Sequence, residues 1–340
     1  MSSTSLQIAV IGAGRIGRIH AENIAGRVRG ASLAGVADVN PAAARDLAAQ
    51  VHASKTSADY RDLLKDPQVQ AIAICSATNT HADIIEAAAA AGKHIFCEKP
   101  IDLNLERIRR ALAAVEKAGI KFQVGFNRRF DPSFAKLKEL IAAGKIGQPH
   151  ILRITSRDPA PPPISYVKVS GGIFMDMTIH DFDMTRFMTG SEVEEVYVIG
   201  DALVDPEIGQ AGDVDTCIIT MRLRNGMLAT IDNSRQAAYG YDQRVEAFGS
   251  KGMVTALNRT PDSHMLLNAE TVQTSKPQHF FLDRYQESYV IEMQAFVDAV
   301  LNDREPPVGG HDGLAPAIIG LASKRSLAER RPVKIEEVSG

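Results

Sequence analysis

Tryptophan is absent from the 340 residues, cysteine occurs only three times, and no apolar run approaches the length of a membrane span. The missing tryptophan argues against a stacking platform for a long oligosaccharide. Cys75, Cys97 and Cys217 have neither the spacing of a metal site nor the even number of a disulfide framework, so reduced thiols in a cytoplasmic setting are expected. Cys97, in the run HIFC, is expected to pack on a strand as a small apolar residue. The opening MSSTS carries no charged n-region and no cleavage site, so no signal peptide is expected. A net charge of only -3 leaves no electrostatic footprint for a nucleic acid or an anionic membrane as partner. Internal repeats and low-complexity segments are also missing. What remains is the composition of an ordinary soluble protein, 45% hydrophobic and 23% charged, long enough for two domains.

What is present begins with a nucleotide signature. Gln7 to Ile11 (QIAVI) reads as a buried parallel strand, Gly12-Ala13-Gly14-Arg15-Ile16-Gly17 follows at once, and a helical pattern follows that. In such a turn Gly12 allows the tight bend, Gly14 the close approach of a pyrophosphate, and Gly17 the packing of helix on strand. The helix N-terminus then turns unpaired N–H groups toward the phosphates. A second strand, Ala31 to Ala37, ends at Asp38, about twenty residues beyond the last glycine. A carboxylate there accepts from both ribose hydroxyls and repels a 2′-phosphate, so NAD is expected over NADP. Arg15 could help hold a 2′-phosphate and would soften that preference.

Up to about residue 125, strands and helices alternate. Helices are expected at Ala42–Val51, Thr80–Ala91 and Leu105–Lys117, and strands at Ala71–Ser76, His94–Cys97 and Lys121–Gly125. This βαβα order implies a parallel sheet wound on both faces, a Rossmann domain over residues 1–125. Ligands bind such sheets at the carboxyl ends of the strands. Ser76, Asn79, Thr80 and His81 at one strand end, and Glu98 and Lys99 at the next, are therefore expected on the cofactor-facing edge. His81 also suits a structural role, orienting the loop at a helix start. After Phe126 the pattern changes. Phe134–Ala143 looks helical, His150–Ser156 alternates as a strand, and the four prolines of Asp158–Pro163 exclude regular structure. Asp215–Leu223 and Met227–Asn233 meet at Asn225-Gly226, a hairpin signal, and Arg244–Phe248 and Met253–Leu257 are joined by GSKG. The second domain, residues 126–340, is expected to be a largely antiparallel sheet with a few helices. Helical segments at Tyr285–Leu301 and Gly313–Ala328 are candidates to return to the first domain.

Two further motifs carry chemistry. Glu98-Lys99-Pro100 sits at a strand end, and Gly171–Asp183 (GGIFMDMTIHDFD) reads as a helix that places Asp176 and His180 four residues apart on one face. A lysine behind a nucleotide fold, with a carboxylate and an imidazole, is what alcohol oxidation needs: the hydroxyl proton goes to a base while hydride leaves for a cofactor. His180 is a natural proton acceptor near neutral pH. Asp176 would orient it or bind a neighbouring hydroxyl, and Lys99 would donate to the developing alkoxide. Alternatively Lys99 is itself the base, its pKa lowered by burial and by the nicotinamide charge. Both assignments stay open. Asp183, three residues past His180, would orient it. No metal is expected, because no cysteine or second histidine completes a site around Asp176, His180 and Asp183.

GAGRIG, SATNTHADI, GKHIFCEKP and GGIFMDMTIHDFD together resemble the Gfo/Idh/MocA oxidoreductase family. Within it, GFNRRFDPSF, SRDPAPPPISY and SGGIFMDMTIHDFDM are similar to the inositol 2-dehydrogenases. The resemblance implies an N-terminal Rossmann domain and a C-terminal α+β domain whose large, mostly antiparallel open sheet builds dimers or tetramers, with a homotetramer expected. It implies an NAD-dependent oxidation of a cyclic polyol, myo-inositol to its 2-keto product, with Lys99, Asp176, His180 and Asp183 as the catalytic group. The alternatives are another inositol isomer, a hexose or a sugar acid as substrate, or a non-catalytic dinucleotide-binding regulator that would have lost the lysine or the histidine. Arg129 of the RR pair is implied as a substrate contact. A ring bearing a hydroxyl on every carbon needs a pocket rich in hydrogen-bonding groups, and Arg157, Asp158, Tyr166, Tyr239 and Tyr241 are the candidates on loops or strand ends.

Overall fold

The computed structural model describes residues 5–339. They divide into two compact units, residues 5–130 with 287–315, and 131–286 with 316–339. Of the two late helical segments expected as candidates to return to the first domain, Tyr285–Leu301 lies almost wholly in the first unit and most of Gly313–Ala328 in the second.

The first unit is built on six short strands: β1 (Leu6–Ile11), β2 (Ala31–Ala37), β3 (Thr56–Ser57), β4 (Ala71–Ile74), β5 (His94–Glu98) and β6 (Phe122–Gly125). They lie in the order β3-β2-β1-β4-β5-β6 and every pair is parallel. Parallel strands covered on both faces must be apolar throughout, and β4 (AIAI) is buried at every position. The connecting helices are α1 (Arg15–Gly26), α2 (Pro41–Gln50), α3 (Tyr60–Lys65), α4 (Thr78–Ala90) and α5 (Leu105–Ala118). Local sequence sets their ends. Asn40 accepts from Ala42 N and Ala43 N ahead of Pro41, Asn104 caps α5 in the same way, and Gly119 closes α5 in the left-handed region. The helix Gln286–Leu301 completes this unit: Met293, Phe296 and Val297 are buried in one cluster with Ile8, Val10, Ala21, Ile24 and Phe96.

Among the described residues, the main sheet of the second unit has seven strands: β7 (Pro149–Arg157), β8 (Val193–Asp201), β9 (Thr216–Leu223), β10 (Leu228–Ser234), β11 (Asp242–Gly249), β12 (Gly252–Ala256) and a last short strand, Val333–Lys334, in the order β12-β11-β7-β10-β9-β8 and then Val333–Lys334. All pairs are antiparallel except β7 with β10. The β9–β10 hairpin turns at Asn225-Gly226 with Gly226 at φ 85°, as the sequence predicts. Strand alternation gives the sheet two unlike faces. One packs on helices α6 (Pro132–Ala142) and α9 (Ile179–Thr189), which follow the short α7 (Ile164–Ser170) and α8 (Ile173–Asp176). The other presents Ile199, Ile218, Leu228, Phe248 and Met253 at 46–63% exposure. Ile199 pairs with Ile218 and Phe248 with Met253, while Leu228 and Phe248 both pair with Ile151, so these side chains share one face. Asp131 caps α6 through Ser133 N and Phe134 N and is fully buried in an ion pair with Arg284.

Candidate active site

The first unit carries a nucleotide cradle. Between β1 and α1, Gly12 adopts φ 103°, and a Cβ there would lie 2.6 Å from the Cys75 carbonyl. A Cβ on Gly17 would lie 1.8 Å from Gly12 O, so helix and turn meet backbone to backbone. Gly14 differs: a Cβ there meets nothing within 4 Å in the protein itself. Gly14 is also the N-cap of α1, and no side-chain oxygen caps that helix, so its first-turn N–H groups suit an anion. Asp38, just past β2, is held on both oxygens: Oδ2 accepts from Ala13 N at 2.6 Å and Oδ1 from Asn40 N at 2.8 Å. Glycine turn, uncapped helix start and fixed carboxylate together suit a dinucleotide whose ribose carries free hydroxyls. Arg15 and Ile16 open α1 at this edge.

The neighbouring strand ends complete the edge. Ser76 Oγ and Thr80 Oγ1 are 2.7 Å apart, and Asn79 O accepts from Arg107. His81 is buried, with Nδ1 2.8 Å from Pro100 O and Nε2 3.0 Å from Ser76 O. Burial lowers its pKa, so a neutral ring donates to one carbonyl at a time. That contact ties the turn after β4 to Pro100, which follows Lys99 through a cis peptide bond. Glu98 ends β5, and its Oε1 accepts from His20 Nε2 at 2.7 Å. Lys99 follows it. Arg129, in the 3-10 turn Asn127–Phe130, donates from Nη2 to Asp312 Oδ1 at 2.8 Å.

In the second unit the expected single helix is two. α8 ends at Asp176, Met177 and Thr178 form a turn, and α9 starts at Ile179 with His180 as its second residue. The hydrogen bonds slip at this point: Thr178 N reaches Ile173 O, His180 N reaches Met177 O, and Asp181 N reaches Thr178 O. The four-residue spacing of Asp176 and His180 is thus not one regular helical turn. Buried Thr178 pins the break by donating its hydroxyl to Asn233 Oδ1 at 2.6 Å, and Asn233 Nδ2 donates to Asp181 Oδ2 at 2.9 Å. Gly171 and Gly172, both at positive φ, lead into α8, whose first N–H (Ile173) is accepted by both Asp213 oxygens. Asp213 leaves no room for a side chain on Gly172: a Cβ there would be 2.7 Å from Asp213 Oδ1.

Asp176 is the focus of this unit. Its Oδ1 accepts from Tyr166 Oη at 2.9 Å, and its Oδ2 from Arg235 Nη1 at 3.3 Å. Arg235, just beyond β10, is 1% exposed and is absent from the sequence-based candidates. Its signal was available, because continuing the alternation from Ile231 and Asn233 puts residue 235 on the helix-covered face. Asp183 is fully buried within α9. Tyr241 is an interior ring, edge-on to Tyr285 at 6.0 Å. Asp158 N continues the strand pattern by donating to Ser234 O.

Arg157 does not join this group. It follows Ile151, Arg153 and Thr155 on the open face of the sheet, whereas Leu152, Ile154 and Ser156 face the helices. There it binds Asp232 in a two-pronged pair at 2.8 and 2.7 Å and donates to Tyr239 Oη at 3.1 Å. Tyr239 in turn donates to Asp242 Oδ2 at 2.5 Å. Hydrogen bonding to Asp232 pushes the Arg157 pKa up, and partial burial followed by Asp242 does the same for the Tyr239 phenol. The strand period that predicts β7 also separates Arg157 from Asp176.

The comparisons with known proteins cover both units. Residues 6–126 match the model of an oxidoreductase family described as an NAD-binding Rossmann fold, and residues 134–255 match the GFO/IDH/MocA C-terminal domain. The chain is 49% identical over 335 residues to a myo-inositol 2-dehydrogenase of Thermotoga maritima, covering 98% of this chain and 100% of that protein. It is 45% identical over 332 residues to an inositol 2-dehydrogenase of Rhizobium meliloti, covering 97% and 99%. The solved structure of a scyllo-inositol dehydrogenase from Lactobacillus casei, with bound NAD(H) and scyllo-inositol, superposes with a TM-score of 0.92 at 33% identity, covering 98% and 99%.

Proposed function

The chain belongs to the GFO/IDH/MocA oxidoreductase family, and we propose that within it the protein oxidises a cyclic polyol, myo-inositol to its 2-keto product, with NAD as the hydride acceptor. The observation that carries the substrate class is the extent of the likeness. Identity of 49% to a myo-inositol 2-dehydrogenase runs over 335 residues and so includes the unit that holds Asp176 and His180, not the nucleotide fold alone.

The residues divide the work as follows. NAD, when bound, supplies the hydride acceptor. Gly12, Gly14 and Gly17 shape its cradle with Arg15 and Ile16, Asp38 selects a free ribose, and Ser76, Asn79, His81 and Glu98 form the strand-end edge. Lys99, Asp176 and His180 serve the reacting hydroxyl. Asp176, fixed by Tyr166 and Arg235, keeps a defined lone-pair direction for a substrate hydroxyl. His180 or Lys99 takes the proton as hydride leaves, and the other steadies the developing oxyanion. Asp183 supports α9 from the interior, and Arg129 contacts the polyol. The protein works in the cytoplasm, a reading that its three unpaired cysteines support. It assembles as a homotetramer or dimer through the open sheet face, whose contiguous apolar side chains favour coverage by another copy.

The test is NADH formation by purified protein offered myo-inositol, scyllo-inositol, D-chiro-inositol and D-glucose with NAD, repeated with NADP. Preferred turnover of myo-inositol with NAD supports the reading. Turnover of a sugar alone removes the substrate and keeps the mechanism, whereas NAD binding without turnover of any of the four points to a regulator.

A further inference from the structure

Three ionisable side chains from three separate elements converge one residue before Lys99. His20 lies on α1, Glu98 ends β5, and Glu292 lies on the Gln286–Leu301 helix. His20 Nε2 donates to Glu98 Oε1 at 2.7 Å and lies 4.0 Å from Glu292 Oε1. His20 and Glu292 are fully buried, while the Glu98 side chain keeps 12% of its surface. Among the described residues, neither Glu292 carboxyl oxygen has a hydrogen-bond partner, and neither does His20 Nδ1. Phe96 and Tyr289 enclose the imidazole edge-on at 4.8 and 5.7 Å.

Such a cluster cannot hold two carboxylates cheaply. A buried anion without a partner takes up a proton instead. Burial first, and then the charge of Glu98, push the Glu292 carboxyl well above the ordinary carboxylate range. Glu98 keeps the favourable place, because it accepts the His20 N–H. Two other groups beside Glu292 are neutral. Cys75 offers a thiol from the end of β4, and Gln123 of β6 spends its Nε2 on the Glu292 carbonyl at 2.8 Å.

We propose that His20 and Glu292 are positioning residues for Lys99: they hold Glu98 as the single anion of a three-group cluster and so set the charge and orientation of the strand end that presents the lysine. The proposal rests on the reading of Lys99 given above. A second anion at this point would draw the Lys99 ammonium toward the strand and away from the hydroxyl it serves.

Steady-state kinetics of the full-length protein with NAD and the preferred polyol, alongside NADH binding by fluorescence, test this. His20→Ala is expected to lower kcat at least tenfold while KM and the NADH Kd stay within threefold. His20→Gln, whose amide N–H reaches toward Glu98, recovers most of that loss. Glu292→Gln, shaped like the neutral acid, keeps kcat near neutral pH and moves the alkaline limb of the kcat profile up by at least half a pH unit. Wild-type kcat in His20→Ala overturns the proposal. So does a Glu292→Gln profile that superposes on wild type, or one equivalent of a divalent cation found by elemental analysis. If His20→Ala does not fold, the two glutamine variants decide. Lys99→Ala separates the two readings: full turnover there removes the role of Lys99 and this inference with it, whereas lost turnover beside an intact His20→Ala removes this inference alone.

Discussion

Two glycines three residues apart are expected to fail in opposite ways when changed to alanine. At Gly17 the new Cβ would sit 1.8 Å from Gly12 O, a backbone atom, so helix and turn must part by more than about 1 Å. Overpacking costs ~1–3 kcal/mol where side chains can yield; against backbone we expect ~3 kcal/mol or more. For a unit of this size that lowers Tm by roughly 6–12 °C, with no ligand present. At Gly14 the Cβ meets nothing within 4 Å, so the melting curve should stay within about 0.5 kcal/mol of wild type. Its effect appears only on binding, where the extra carbon holds the pyrophosphate off the backbone. A cost of ~1–3 kcal/mol there weakens NADH by roughly 5- to 150-fold. Thermal melts without nucleotide and fluorescence titration with NADH read the two effects separately. A Gly14→Ala protein that binds NADH as wild type does, or a Gly17→Ala protein that melts with wild type, would refute the reasoning.

Four further outcomes follow from the geometry. Arg235→Met removes the guanidinium from Asp176 and should lower kcat at least ~10-fold with the far-UV circular dichroism unchanged; wild-type turnover would break the link between Arg235 and the site. Asp131→Ala leaves Arg284 buried without its carboxylate and uncaps α6, so urea unfolding should show a loss of ~3–5 kcal/mol, and a loss below about 1 kcal/mol would refute it. Ile218→Lys places a charge in the open apolar face and should reduce the mass measured by light scattering, unless that face is solvated in the native assembly. Because the folded pKa of Glu292 lies above its unfolded value, the stability it contributes is complete below the unfolded pKa and is lost as pH rises through the folded one. Glu292→Gln lacks this loss, so its stability relative to wild type should climb by up to ~1.4 kcal/mol per pH unit as pH rises above the ordinary glutamate range, and a constant difference would count against a neutral buried acid.

Local signals made the first sheet legible. QIAVI, AIAI and HIFC are short apolar runs bounded by glycine or polar residues, and each is a strand of the parallel sheet. The hairpin at Asn225-Gly226 was readable for the same reason, since its left-handed position falls on Gly226. Reading failed where a long-range partner decides the outcome. GGIFMDMTIHDFD looks like one helix because nothing inside it announces that Thr178 will turn its hydroxyl to Asn233, 55 residues away. β8 was missed because two glutamates interrupt its apolar pattern at a strand whose other face is open. Arg157 was a pocket candidate because it ends a strand, although the strand period puts it on the face opposite the one that Arg235 and Asp176 share. Arg235 and Glu292 were missed because a buried charge is invisible until its partner is known. No sequence window shows that Glu292 meets His20.

The return of residues 287–315 to the first unit also bears on how the chain is made. Met293, Phe296 and Val297 fill the cluster around Ile8, Val10 and Phe96, and Glu292 lies beside His20. When residue 130 leaves the ribosome, the nucleotide fold therefore still exposes the surface those side chains will cover. About 170 more residues must follow, which at ~5–20 residues per second takes roughly ten to thirty seconds. During that interval the second unit is synthesised almost to its end. The strand order suggests a domain that folds first, yet its last structural piece is among the last to arrive, and the nascent chain must keep an unfinished apolar face out of trouble until then.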